Sequence, residues 1–237
     1  MENLEVFRTD ASRSKLMEAK NMAIEECLKP RSRNDTALMI VDMQRGFLDD
    51  GAALEVPGGS GECLSNAVRL VAKARTIRMQ VVFTQYIHRP GSTRLSSYPF
   101  SPEVFEHSRG APKGPFHPSS CCMEGDLSVE VVEDLRPRAD DLVVEKYGYD
   151  SFHETPLDSE LRSRGISHLY VCGVLTDICV DSTLRSGFHR EYRITAVSDA
   201  VATIRPEIQE ACLDIWRREF ARVRSTADVL AEMDGLA

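Results

Sequence analysis

Three residues of this chain have the types and settings that covalent chemistry asks for: a carboxylate, Asp42, an ammonium, Lys146, and a thiol, Cys179. Cys179 follows Leu169-Tyr-Val-Cys172, a short apolar, β-branched run of the kind that forms a buried parallel strand. Gly173 then permits a backbone turn, and Thr176 and Asp177 are good caps for a helix starting near 178–179. A cysteine in the first turn of a helix meets orphan N–H groups and the positive end of the helix dipole, which favour thiolate over thiol. That setting suits a nucleophile. It also suits a small side chain that merely packs, and the stretch alone leaves both readings open. Asp42 stands directly after the apolar run 36–41, and Lys146 directly after the run 141–145.

These positions gain meaning from the elements around them. The apolar runs 36–41, 81–84, 141–145, 169–172, 192–197 and 221–223 read as strands. Between them lie helical patterns from Ser60 to about Arg78, over 126–135, from Thr155 to Gly165, from Cys179 to Gly187 and over 206–219, with a last helix capped by Thr226. Alternating strands and helices predict an α/β fold of three layers, αβα: an open, mostly parallel, doubly wound sheet of about six strands. In such sheets the carboxyl ends of the strands share one edge, where ligands bind. Asp42, Lys146 and Cys179 end the first, third and fourth strands, so they converge in one crevice. The convergence favours a functional Cys179.

Composition narrows the rest. A net charge of −8 gives no support for nucleic-acid or anionic-membrane partners. No window approaches the apolar length that spans a bilayer, and the first residues do not read as a signal peptide. Seven scattered cysteines without paired spacing read as reduced thiols of a cytoplasmic protein rather than a disulfide frame. Residues 1–34 read as an N-terminal helical extension and 35–237 as the main domain. The segment 89–120 holds six prolines and four aromatics without periodicity, the pattern of a lid or binding loop.

The segments Ala37-Leu-Met-Ile-Val-Asp42-Met-Gln44-Arg-Gly-Phe47, Lys146-Tyr-Gly-Tyr-Asp-Ser-Phe152 and Gly173-Val-Leu-Thr-Asp-Ile-Cys179-Val, in that order, resemble the isochorismatase-like cysteine hydrolases. That family includes nicotinamidase and the N-carbamoylsarcosine, ureidoacrylate and biuret hydrolases. The resemblance covers roughly residues 35–235 and implies a catalytic triad of Asp42, Lys146 and Cys179. Asp42 would accept the thiol proton, Lys146 would favour the charged forms of both partners, and Cys179 would attack a carbonyl. Backbone N–H groups at Leu175 and Cys179 would hold the oxyanion. A cis peptide is expected at Val174–Leu175. The family also implies a homodimer or homotetramer.

Two departures bear on substrate. Nicotinamidases carry an Asp-x-His metal motif where this chain has Tyr86-Ile-His88, so neither a metal nor another cofactor is expected, and His88 becomes a polar group lining the pocket or a surface residue. Isochorismate cleavage needs no thiol, so Cys179 favours C–N hydrolysis of a small linear amide or carbamoyl compound, with vinyl-ether hydrolysis and a nicotinamidase-like activity as the alternatives. Phe47, Tyr149, Phe152 and Leu175 are candidate pocket walls, though core packing explains each as well. Gln44 and Asp150 could orient the triad. Arg89 and Arg94 could meet a substrate carboxylate, or be ordinary solvated arginines. Cys121-Cys122 reads as a loop pair and Cys172 as a core residue.

Overall fold

The computed structural model describes residues 22, 25–52, 54–89 and 121–236. Six strands form one sheet: β1 (Thr36–Val41), β2 (Gln80–Tyr86), β3 (Leu142–Lys146), β4 (His168–Val174), β5 (Arg193–Ala202) and β6 (Arg222–Arg224). Their order is β3-β2-β1-β4-β5-β6 and every pairing is parallel, so "mostly parallel" becomes wholly parallel among the described residues. The helices are α1 (Arg45–Leu48), α2 (Leu64–Thr76), α3 (Leu157–Ser163), α4 (Asp181–His189), α5 (Pro206–Glu219) and α6 (Thr226–Gly235).

The two-residue period of β1 divides the core between the faces of the sheet. Leu38 and Ile40 pack with Leu70 and Ala74 of α2 and Val229 and Met233 of α6. Ala37, Met39 and Val41 pack with Leu157 of α3, Leu184 of α4 and Trp216 of α5. Both faces of β1 are covered, which is why its six residues read as one uninterrupted apolar run and are all buried. The expected three layers result.

The chain runs outward from β1 through β2 to β3, then returns to place β4 on the other side of β1. The reversal makes the carboxyl ends of β1 and β4 the switch point of the sheet. Gly173 belongs to this junction rather than to a turn after the strand. It pairs with Val41 inside β4, where the β5 register shifts, and a Cβ on it would lie 2.1 Å from the Val41 carbonyl oxygen. Its φ of +122° is a second reason for glycine.

Local expectations differ in three places. The helix expected over 126–135 is two 3₁₀ turns, Leu127–Val129 and Glu133–Leu135, joined by extended backbone at Glu130. The helix expected from Ser60 begins at Leu64, after an irregular turn with non-helical Gly61. Ser225, not Thr226, caps α6, in a reciprocal pair with Asp228, while Thr226 donates to Asp199. Of the N-terminal extension, residues 25–28 are helical, and Glu25 bridges Arg222 and Arg224 of β6. The rest of that extension before Met22, and the loop 90–120 with Arg94, lie outside the described residues.

Candidate active site

At the switch point the chain leaves β1 through Asp42, whose φ of +50° lies in the left-handed region that few residues with a Cβ enter. The turn sends its carboxylate back over the sheet edge. Thr84, opposite Val41 on β2, meets it twice. The Asp42 N–H donates to Thr84 Oγ1 at 3.2 Å, and the same hydroxyl donates to Asp42 Oδ1 at 2.6 Å.

Lys146, the last residue of β3, reaches across the end of β2 to stand 2.7 Å from Asp42 Oδ2, with both side chains wholly buried. The oxygen has this ammonium beside it but no donor aligned on it as a hydrogen bond. The ammonium is caged further by the carbonyls of Gly148 at 3.0 Å and Tyr149 at 2.8 Å. Burial opposes its charge, but the negative partners Asp42 and Cys179 outweigh that and hold Lys146 above the ordinary lysine range.

Past β4 the peptide Val174–Leu175 is cis, as expected. A single wide turn, Thr176–Val180, carries Cys179 into the site and continues into α4. The carbonyl of Leu175 accepts from Ile178 at 3.1 Å and from Val180 at 3.0 Å, the amides on either side of Cys179. The thiol lies within the electrostatic reach of both Asp42 and Lys146. Burial is the dominant influence on it and raises its pKa against the pull of Lys146, so the resting sulfur keeps its proton. Burial thus opposes the thiolate that a helix start by itself favours.

Asp42, Lys146 and Cys179 thus meet in one buried cluster. The other candidates divide. Tyr149 is half-buried, 6.4 Å from Tyr86 between ring centres, with its phenol raised by burial beside the Cys179 sulfur. Leu175 and Phe47 share a buried cluster with Tyr86, Cys121 and Cys122, and Val174 is fully buried. Gln44 is engaged by backbone: its amide nitrogen donates to the carbonyls of Tyr86 and Val129, and its oxygen accepts from the Tyr86 N–H. It splices the strand ends together. Phe152 stacks on Tyr192 at 5.5 Å and lies under Gly187, so it is core at the far end of α4, not a pocket wall. Asp177 is not a cap; it accepts from Thr203 within the wide turn. Asp150 caps the Phe152 N–H, and Arg89 pairs with Glu124 at 2.9 Å and lies over the Tyr147 ring.

His88 is buried, its backbone bonded to Cys122 and Glu124, and burial lowers its pKa. With Tyr86 two residues before it, the position lacks the carboxylate a metal would need. Among the described residues no three His, Cys, Asp or Glu side chains are grouped to hold an ion.

Two neighbours of the cluster escaped the sequence reading, and a third was read only as a loop pair. Thr84 is one, a polar residue inside an apolar strand. Thr183 is another: one turn beyond Cys179 on α4, it accepts from the Ser151 N–H at 3.0 Å and lies 2.8 Å from the Ser151 hydroxyl. It thereby ties the nucleophile's helix to the turn whose carbonyls cage Lys146. The third is the Cys121-Cys122 pair, which is buried rather than loop-exposed, with sulfurs 3.7 Å apart and Cys122 within the electrostatic reach of Asp42 and Cys179.

Comparison with known proteins agrees with this geometry. The isochorismatase domain family matches residues 36–228. Ureidoacrylate amidohydrolase RutB of Pseudomonas syringae pv. syringae is 33% identical over 201 residues, covering 82% of each chain. A cysteine hydrolase from Pseudomonas syringae pv. phaseolicola superposes with a TM-score of 0.75 at 29% identity, over 88% of this chain and 96% of its own. N-carbamoylsarcosine amidase from Thermoplasma acidophilum gives a TM-score of 0.62 at 30% identity, over 81% and 96%.

Proposed function

The chain belongs to the isochorismatase family and is a cysteine-type amidohydrolase acting on carbon–nitrogen bonds other than peptide bonds, and we propose that its substrate is a small ureido (carbamoyl) compound cleaved through a thioester. One observation carries the proposal: a thiol, a carboxylate and an ammonium share one buried cluster at the switch point of the sheet.

Asp42 Oδ2 takes the proton of Cys179 as the sulfur attacks the substrate carbonyl carbon. The wholly buried Lys146, 2.7 Å from Asp42 Oδ2, offsets the negative charge that develops as the sulfur attacks. The N–H groups of Leu175 and Cys179 face the developing oxyanion. Collapse breaks the C–N bond, and the proton held on Asp42 goes to the departing nitrogen, releasing ammonia. The carbamoyl thioester remains on Cys179. Water, giving a proton to Asp42, adds to it; the sulfur leaves and is reprotonated, and a carbamate departs.

Tyr149 and Leu175 flank the substrate, and residues 35–237 form the hydrolase domain with 1–34 as an extension. Seven cysteines without a disulfide support a reducing, cytoplasmic setting. A homodimer or homotetramer completes the reading. Among the described residues no helix is long and apolar enough to cross a membrane.

Ammonia release is the test, from ureidoacrylate, N-carbamoyl amino acids, biuret and nicotinamide, by wild type and Cys179→Ala with and without chelator. Release from ureido compounds alone, lost in the variant and indifferent to chelator, is expected. Turnover of nicotinamide alone, or turnover that survives loss of Cys179, overturns the proposal.

A further inference from the structure

Thr84 is the polar residue on β2 that faces the candidate base, and it does so with both of its hydrogen-bonding capacities. Its hydroxyl oxygen accepts from the Asp42 N–H at 3.2 Å while its hydrogen is given to Asp42 Oδ1 at 2.6 Å. Thr84 is completely buried in the middle of the parallel sheet, opposite Val41 in register, so neither partner has water as a substitute. A hydroxyl has one proton to give. Giving it to Oδ1 ends that oxygen's availability as the acceptor of a second proton along the same direction. Oδ2, beside Lys146, is left without an aligned donor.

We infer that Thr84 is a positioning residue for the hydrolysis proposed above: it holds Asp42 in its left-handed backbone turn and selects Oδ2 as the oxygen that takes the Cys179 proton. The inference rests on that reading of Asp42 as base. The groups facing the carboxylate come from separate elements: Thr84 from β2, Lys146 from β3, Cys179 from the turn after β4, with Cys122 nearby. Lys146 stands 2.7 Å from Oδ2 but gives Oδ1 no partner of its own. The Thr84 hydroxyl fixes Oδ1 and so holds the carboxylate with Oδ2 turned to the ammonium. Without it the carboxylate can turn about its Cβ–Cγ bond, and the backbone N–H that helped pin the turn loses its acceptor.

The step controlled is the proton transfer from Sγ to Oδ2 that accompanies attack of the sulfur on the carbonyl carbon. Loss of the hydroxyl therefore lowers kcat while leaving substrate binding in place. Thr84→Val, which keeps the shape and removes the hydroxyl, is expected to reduce kcat about 10- to 100-fold with KM within about twofold. Thr84→Ser is expected to restore kcat to within about threefold of wild type. Alkylation of Cys179 by iodoacetamide, followed by mass spectrometry of its peptide, should slow in Thr84→Val and not in Thr84→Ser. If the valine variant does not fold by circular dichroism, Thr84→Ala makes the same comparison.

A hydroxyl-free variant with wild-type kcat and alkylation rate overturns the inference. So does Thr84→Ser failing as badly as Thr84→Val, or a change confined to KM. Absence of turnover by the wild-type enzyme on every ureido compound would strike the proposed substrate instead, and the alkylation rates would still decide the role of Thr84.

Discussion

Lys146 Nζ and Asp42 Oδ2 meet at 2.7 Å with no solvent on either side chain. The pair joins β3 to the end of β1 across the intervening strand β2. A buried ion pair is weak evidence for stability in itself, but removing one partner strands the other charge. Lys146→Met should therefore cost about 3–5 kcal/mol in urea unfolding as well as abolish turnover. The double variant with Asp42→Asn should recover part of that loss, because the stranded carboxylate is gone.

Cys179 makes a prediction about pH. Burial raises its pKa above the ordinary thiol value of 9.0, so the thiolate fraction stays small through neutral pH. Alkylation of Cys179 in the folded protein should keep rising with pH past 9, whereas the urea-unfolded chain should level off there. A plateau near neutrality in the folded protein would contradict the burial argument.

His168 lies at the opposite end of β4 from Cys179. It is fully buried, and burial, reinforced by the charges of Arg193 and Arg222, lowers its pKa well below 6.5. The unfolded chain then binds a proton that the folded one refuses, so stability rises with pH across that interval. The contribution is complete above pH 6.5 and is lost as pH falls below it. The difference in unfolding free energy between wild type and His168→Gln should shift by up to about 1.4 kcal/mol per pH unit below 6.5, and be flat above it.

Two glycines with positive φ should respond differently to alanine. At Gly173 a Cβ would meet the Val41 carbonyl oxygen at 2.1 Å, and backbone cannot step aside. At Gly51, φ +74°, nothing lies within 4 Å. Gly173→Ala should cost more than about 4 kcal/mol or prevent folding, and Gly51→Ala about 1 kcal/mol, as thermal unfolding would show.

Thr183→Val would strip the acceptor from the buried Ser151 N–H and release the turn caging Lys146. A loss of about 1–3 kcal/mol is expected, with Thr183→Ser close to wild type by the same measurement.

Much of this protein was legible along the chain. The apolar runs 36–41, before Asp42, and 169–172, ahead of Cys179, pointed to a parallel sheet, because strands buried on both faces leave no room for alternation. Parallel strands place their carboxyl ends on one edge, so the meeting of Asp42, Lys146 and Cys179 was foreseeable from order alone. Other features depended on neighbours distant in sequence. Gln44 and Phe152 lie close in sequence to Asp42 and Lys146, yet one is spent on strand-end backbone and the other stacks on Tyr192. Thr84 and Thr183 look like ordinary threonines until β2 lies beside β1 and α4 lies against the 146–152 turn. The helix start that favours a thiolate at Cys179 is a local property, whereas the burial that opposes it exists only in the folded chain. Residue type and strand order determined which groups would meet. Burial and cross-strand hydrogen bonds, which exist only after packing, decided which of them hold protons and which are held.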